Sequence, residues 1–336
     1  MKFPCASALR RVCRAFSSLA CLFLLTGLVH AQPAWPSRPV KLVVPYPAGG
    51  PTDTVSRLIG EKLAQRLNAS FVVENRPGAS GAVAASYVAK SPADGYTLMM
   101  LGTSTLLTKY IVGNTSYDIF KDFAPVATVY DLPIVMVVNP KVWPEVHSLQ
   151  DVIAKAKAAK ARGDLLNYTS SAPISVGHLT TETLKDLAHF DMQHIPYPGG
   201  SQAVQSLLGG QVPVGFLDII VALPHIQAGA LRAVAVGGPT RVPMFPDVET
   251  INEQGIPGFS GVSWGGLLVP QGTPKNVIDR LSKETQAILQ EKQVQERMQT
   301  FGVIAVYQSP EEMGLRMKQD FDKWGKVIQE HHLIVN

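Results

Sequence analysis

The stretch from Lys41 to Leu67 constrains this chain more than any other. It reads Lys41-Leu-Val-Val-Pro45, then Tyr46-Pro-Ala-Gly-Gly-Pro-Thr-Asp53, then a run whose apolar residues Val55, Leu58, Ile59, Leu63 and Leu67 fall on one face of a helix. The first part has the length and composition of a buried strand. Asp53 stands where an N-cap belongs and Asn68 where the helix should stop. A strand therefore hands a glycine loop to a helix N-terminus, where unpaired N–H groups and the positive end of the helix dipole favour an anion. Gly49 and Gly50 present no side chains to keep a ligand from the backbone. The same residues equally make a tight strand-to-helix turn, and the loop alone leaves both readings open.

The loop spells neither Gly-x-Gly-x-x-Gly nor Gly-Lys-Ser/Thr, so dinucleotide and P-loop sites are not indicated, and no cofactor is expected. Tyr46 to Asp53 carries no cation. A small carboxylate on neutral donors fits this loop better than a polyphosphate, with Tyr46, Pro47, Ala48, Gly49, Gly50, Thr52 and Asp53 as the candidate ligand-binding residues.

The N-terminus has the pattern of a secretory signal peptide over residues 1–31. Lys2, Arg10, Arg11 and Arg14 precede an apolar run from Ala15 to Val29, and Val29-His-Ala31 offers a cleavage site before Gln32. Export to the periplasm is the expectation. Removing this segment takes all three cysteines and four of the 30 basic residues, leaving 26 basic against 26 acidic. The mature chain then has no thiol chemistry. A formally neutral domain gives no reason to expect nucleic acid or an anionic membrane as partner.

Strand-like and helical segments alternate onward, which predicts an α/β fold with parallel pairing. Phe71–Glu74 reads as a strand, Ala79–Ala89 as a helix and Tyr96–Leu101 as a strand ending in Gly102-Thr-Ser-Thr105, so Thr103 and Ser104 should lie beside the Tyr46–Asp53 loop. Pro125–Asn139 reads as a strand leaving the first lobe. A second lobe follows: a capping box at Ser148–Asp151, a strand to Thr169, the serines Ser170, Ser171 and Ser175, a helix near His178–Ala188, then Met192–Pro196, Gln202–Leu208, Val212–Leu217 and Leu231–Val236. Tyr197-Pro-Gly-Gly200 echoes the first loop, placing Tyr197, Gly199 and Gly200 at another helix N-terminus. Asp218, at a strand end, either faces a cleft or caps the next turn. Val262–Pro270 reads as the last strand, Thr273 as an N-cap and Ser309–Glu312 as a capping box, with the C-terminal helices returning to cover the first lobe. The expected division is lobe 1 over residues 32–131 and 254–336 and lobe 2 over 132–253, with two crossings as the hinge.

Gly261-Val-Ser-Trp-Gly265 matches the Gly-x-Ser-x-Gly nucleophile elbow, which requires a helix directly after the serine. Ser263 is followed instead by a strand-like run, so a hydrolase is disfavoured. His147, His178, His189, His194 and His225 show no metal-binding spacing.

The chain resembles the Bug receptors, periplasmic solute-binding proteins of tripartite tricarboxylate transport systems. The resemblance rests on Trp35-Pro-Ser-Arg-Pro39, Val44–Asp53, Val73-Glu-Asn-Arg-Pro-Gly78, Ala93-Asp-Gly-Tyr-Thr-Leu98 and Lys121–Val126, then on Leu166-Asn-Tyr-Thr-Ser170, Ile195–Gly200, Leu207–Val212, Ala222–Ile226, Leu231–Ala235 and Phe245–Val248. It implies a two-lobed Venus-flytrap of the type II periplasmic binding protein class, a carboxylate held by the first loop and by the second-lobe serine and Tyr-Pro-Gly loops, and Asp218 facing the cleft. It also implies a monomer working with membrane permease subunits or a membrane sensor. Pro173 and Ile174 depart from a run that is Gly- and Ser-rich in relatives, and imply a bulkier or less polar carboxylate.

Overall fold

The computed structural model describes residues 35–333, so the expected signal peptide and its cleavage site lie outside the described residues. From Arg38 onward the chain forms one unit built on two sheets that share a strand. Its first elements are β1 (Val40–Val44), α1 (Pro51–Leu67), β2 (Phe71–Asn75), α2 (Ala82–Ala89), β3 (Thr97–Gly102), the short α3 (Thr103–Leu106) and α4 (Thr108–Val112), and then the 16-residue β4 (Phe123–Val138). The second group comprises α5 (Leu149–Ala161), β5 (Leu166–Ser170), α6 (Val176–Ala188), β6 (Met192–His194), α7 (Gly200–Leu208), β7 (Val214–Asp218), α8 (Ile219–Gln227) and β8 (Arg232–Val236). The chain then returns through β9 (Val262–Pro270), α9 (Lys275–Leu289), α10 (Lys292–Thr300), β10 (Ile304–Gln308) and α11 (Pro310–Glu330).

β4 explains how the lobes are joined. Residues from Phe123 to Pro133 pair with β9 in the first sheet, and Ile134 to Val138 pair with β7 in the second. Its residues are mostly buried along the whole length, as a strand covered by helices on both faces demands. The strand order is β2-β1-β3-β9-β4-β7-β5-β6, with β10 and β8 also on β4. Pairing is parallel where βαβ units build the sheet, at β1–β2, β1–β3, β5–β6 and β5–β7. It is antiparallel at every contact of β4 and β9, so the expected parallel pairing holds within the βαβ units and does not extend to these two strands. The returning strand comes from the opposite lobe and enters from the far end.

Each lobe has its own core. Val43, Met99, Leu101, Phe123, Trp264 and Met313 belong to the first, and Ile134, Met136, Tyr168, Phe216 and Leu179 to the second. The C-terminal helix does not confine itself to the first lobe as expected. Met313 and Met317 of α11 enter the first core, whereas Trp324 and Ile328, two turns on, enter the second. A 21-residue helix is about 30 Å long, enough to span both. β10 was also unforeseen: its Ile304–Gln308 run is half-buried throughout and flanked by helices, leaving no period-two signal. The capping boxes at Ser148–Asp151 and Ser309–Glu312 form as expected. Thr273 is not the N-cap of α9; that position is Pro274, and the Thr273 hydroxyl donates to Pro270 O.

Candidate functional site

The Tyr46–Asp53 loop leaves β1 and enters α1, but Asp53 is not its N-cap. Gly50 holds that position in extended backbone, and Asp53 is the third residue of the helix, almost fully buried. Its carboxylate is committed. Oδ2 accepts from Gly49 N–H at 2.9 Å and Arg57 Nε at 3.0 Å, and Oδ1 from Asn75 Nδ2 at 2.8 Å and Arg57 Nη2 at 3.0 Å. Burial alone would raise this carboxyl, but the Arg57 guanidinium, the Gly49 N–H and the Asn75 amide hold it below the usual range. Asp53 thus pins the loop from inside. Gly49 sits at φ +87°, a conformation only glycine takes without strain, so the tight turn is required whatever the loop binds.

With Pro51 lacking an N–H, and Thr54 N–H the first to reach Gly50 O at 2.9 Å, Thr52 and Asp53 carry first-turn N–H groups that α1 cannot satisfy itself. Thr52 Oγ1 is paired with Tyr130 Oη at 2.8 Å, and both are buried. Tyr46 Oη meets Thr105 Oγ1 at 3.0 Å, which brings the Gly102–Thr105 segment against the loop as the strand-end rule requires. Burial raises the phenols of Tyr46 and Tyr130, so both stay neutral hydroxyls. Thr103 is buried behind this segment, its Oγ1 accepting from Trp264 N–H at 3.0 Å; Ser104 is half-buried.

In the second lobe Gly199 is the N-cap of α7, so the Tyr197–Gly200 turn opens a helix as the first loop does. A Cβ on Gly200 would stand 3.1 Å from Val221, which keeps α7 close to α8. Tyr197 is half-buried and lines a separate surface cavity with Gln202, Gln205 and Gln211. Asp218 ends β7 directly before α8 and makes no side-chain cap bond; its N–H donates to Ser171 Oγ at 3.1 Å. Burial raises the Asp218 carboxyl, against the opposing effect of its Ser171 hydrogen bond. Ser175 is the N-cap of α6, accepting from His178 N–H. Ser170 is fully buried, its hydroxyl donating to Ala172 O and meeting His194 Nε2, each at 2.9 Å. Two of the three serines are therefore occupied by local structure, and Ser171 ties the rim to the end of β7.

Sequence reading missed Tyr130, Asn75 and Arg57, which hold the first loop in place. Only the Asp53–Arg57 spacing of four residues on one helix was a visible signal. Ser263 lies in continuous β9, opposite Leu132, with its hydroxyl 3.4 Å from Thr103 Oγ1. The strand-to-helix turn of a nucleophile elbow is absent at this position. A cavity of about 640 Å³ lies beside the lobe crossing, lined by Ser260, Val262, Arg316, Asp320 and Lys323, and another of about 240 Å³ sits behind Thr105; neither is lined by the Tyr46–Asp53 loop.

Two α/β lobes threaded by one long strand, with glycine-capped helices opening beyond strand ends in each, define a two-lobed periplasmic binding protein. Residues 55–333 match the family described as tripartite tricarboxylate transporter family receptor (TctC), and the chain belongs to that family. Protein BugT of Bordetella pertussis is 34% identical over 314 residues, covering 92% of this chain and 95% of its own length. The structure of R. palustris Rpa4515 with adipate superposes with a TM-score of 0.76 at 33% identity, over 88% of this chain and 97% of that one. MatC from Rhodopseudomonas palustris with bound malate gives a TM-score of 0.71 at 30% identity, over 88% of this chain and 100% of that one. No helix among the described residues is long and apolar enough to cross a membrane.

Proposed function

We propose that this protein is an exported receptor that captures a small carboxylate between its lobes and delivers it to the permease of a tripartite tricarboxylate transporter. The observation that carries this reading is the α1 N-terminus, where Thr52 and Asp53 carry N–H groups that the helix itself cannot pair, at the mouth of a loop pinned by Asp53, Arg57 and Asn75. Family membership and the adipate and malate of two similar structures support the same ligand class. Export would follow cleavage after Ala31, and the lobes would divide near residues 131 and 254.

In this reading the ligand carboxylate meets the N–H groups at the α1 N-terminus and the Ser104 hydroxyl. The Tyr197–Gly200 turn, Ser171 and Asp218 approach from the second lobe. Each helix terminus contributes about 0.3 to 1 kcal/mol to an exposed anion. Micromolar affinity requires about 8 kcal/mol, so several donors and burial of the ligand's apolar body must act together. The protein is a receptor and performs no turnover.

Thermal melting of the chain from Gln32 onward, against adipate, malate and other mono-, di- and tricarboxylates, tests this. A ligand at about 100 times its dissociation constant adds about 2.7 kcal/mol. Gly50→Val is the matched control: its backbone suits any residue, and the added Cβ would meet only Pro47 O, at 3.7 Å. We expect a shift with one carboxylate class that Gly50→Val abolishes; a shift of equal size in the variant would remove the loop from the site. Incubation with ester and amide substrates should yield no product. Turnover that Ser263→Ala eliminates would instead establish a hydrolase.

A further inference from the structure

The rim of the second lobe, residues 170–175, is clamped at both ends by a pair of stacked histidines. The rings of His178 on α6 and His194 on β6 lie 3.8 Å apart and 15° from parallel. At one end of the rim, His194 Nε2 is 2.9 Å from Ser170 Oγ, whose proton goes to Ala172 O. The ring nitrogen is therefore the donor. At the other end Ile174 N–H donates to His178 Nδ1 at 3.1 Å. A backbone N–H can only donate, so Nδ1 carries a lone pair and the His178 proton is on Nε2.

Ile174 is a strained residue. Its φ is +55°, a region that β-branched side chains rarely occupy, and its side chain is almost fully buried in the second core. Such a conformation persists only where its surroundings over-determine it. Here they are the buried side chain on one side and the bond to His178 on the other. Between the clamped ends lies Ser171, whose Oγ accepts from Asp218 N–H.

We propose that His178 and His194 are positioning residues: as a stacked neutral pair they hold the rim in its strained form, and so set carboxylate affinity without touching the ligand. This rests on the reading above that the rim forms part of the ligand site. The His178 bond requires a neutral ring, because Nδ1 must accept, whereas the His194 bond requires only a proton on Nε2. Burial pushes His178 down to about 4 and His194 to about 3, with the Lys185 ammonium acting in the same direction on both. The charged and titratable groups facing the pair are Glu182 and Lys185 on α6, Tyr168 on β5, and His331 at the end of α11. Asp191, before β6, pairs with Lys185 at 3.6 Å. Glu182 gathers this set, accepting from Tyr168 Oη at 2.5 Å and Lys185 Nζ at 2.7 Å, with His331 Nδ1 at 3.2 Å. The stack is thereby anchored to the helix that spans both lobes.

Four variants of the mature chain test the clamp at pH 7: His178→Leu, His178→Asn, His194→Leu and His194→Gln. Asparagine can present an acceptor near the position of Nδ1, and glutamine a donor near that of Nε2. Adipate binding is measured by calorimetry, and amide hydrogen exchange across residues 170–175 is measured without ligand. The leucine variants should bind adipate about tenfold or more weakly and speed rim exchange by about tenfold or more, the scale of one lost hydrogen bond. Exchange in β5 and β7 should stay slow, and the Asn and Gln variants should recover most of both effects. Equal losses in the leucine and amide variants, or unchanged rim exchange in all four, would overturn the proposal. If the parent does not bind adipate, the affinity comparison falls away without touching the carboxylate reading, and rim exchange alone decides the clamp.

Discussion

Gly177→Ala should destabilise the protein by about 3 kcal/mol or more, a loss on the order of 10 °C in melting temperature for a lobe of this size. Gly177 is the second residue of α6, and a Cβ there would sit well inside van der Waals contact with the carbonyl carbon and oxygen of Phe216. Both are backbone atoms of β7, where Phe216 is paired with Met136 on one side and Ser170 on the other. Neither strand can yield without breaking its ladder, so α6 must lift away. The same shift would carry Ser175 and His178 off the rim and loosen the Ser171–Asp218 contact. Thermal unfolding followed by circular dichroism reads the stability directly. A loss below about 0.5 kcal/mol, the range of an ordinary surface change, would mean that α6 does not lie this close to β7.

Stability should fall steeply as pH drops from 6.5 towards 4. His178 titrates near 4 and His194 near 3 in the fold, against 6.5 for the ordinary ring. Within that window the unfolded chain binds more protons than the folded one. The stabilisation is therefore complete above pH 6.5 and is lost on acidification, at about 1.4 kcal/mol per pH unit for each ring, until the folded rings themselves protonate. Asp131 and Asp218, whose carboxyls are raised by burial, act in the opposite sense just above the ordinary carboxylate range. The histidine contribution is isolated by comparing the parent with His194→Gln in urea titrations between pH 4 and 7.5. The variant should show a shallower slope, by about 1.4 kcal/mol per pH unit. Parallel slopes would show that His194 is not held neutral by the fold.

Much of the architecture was legible because it is local. β1, α1, β2, β9 and α11 follow from short apolar runs, helical periodicity and capping residues, each a property of neighbours in the chain. Ser309 and Glu312 meet in a capping box because three residues bring them there. The family was legible for a related reason, since ordered motifs such as Val44–Asp53 and Ile195–Gly200 are themselves turns at strand ends. The strand-end rule, applied to a sheet read from sequence, also brought Tyr46 and Thr105 to one place.

What the sequence by itself determined, then, was the set of elements, their order and the loops that open towards a ligand. Tertiary structure decided which polar groups those loops keep free. Asp53 read as a cap, yet it is spent on Gly49 of the preceding loop, on Arg57 one turn further along α1, and on Asn75 of β2, 22 residues away. Ser170 read as a ligand hydroxyl, yet it is buried against His194, 24 residues on. The strand pairing of β4 and β9, and the reach of α11 into both cores, likewise join segments more than 100 residues apart. Periodicity records which side of an element is apolar. It carries no record of which distant donor meets a given acceptor, because that pairing is fixed only when packing brings the two together and excludes water from both.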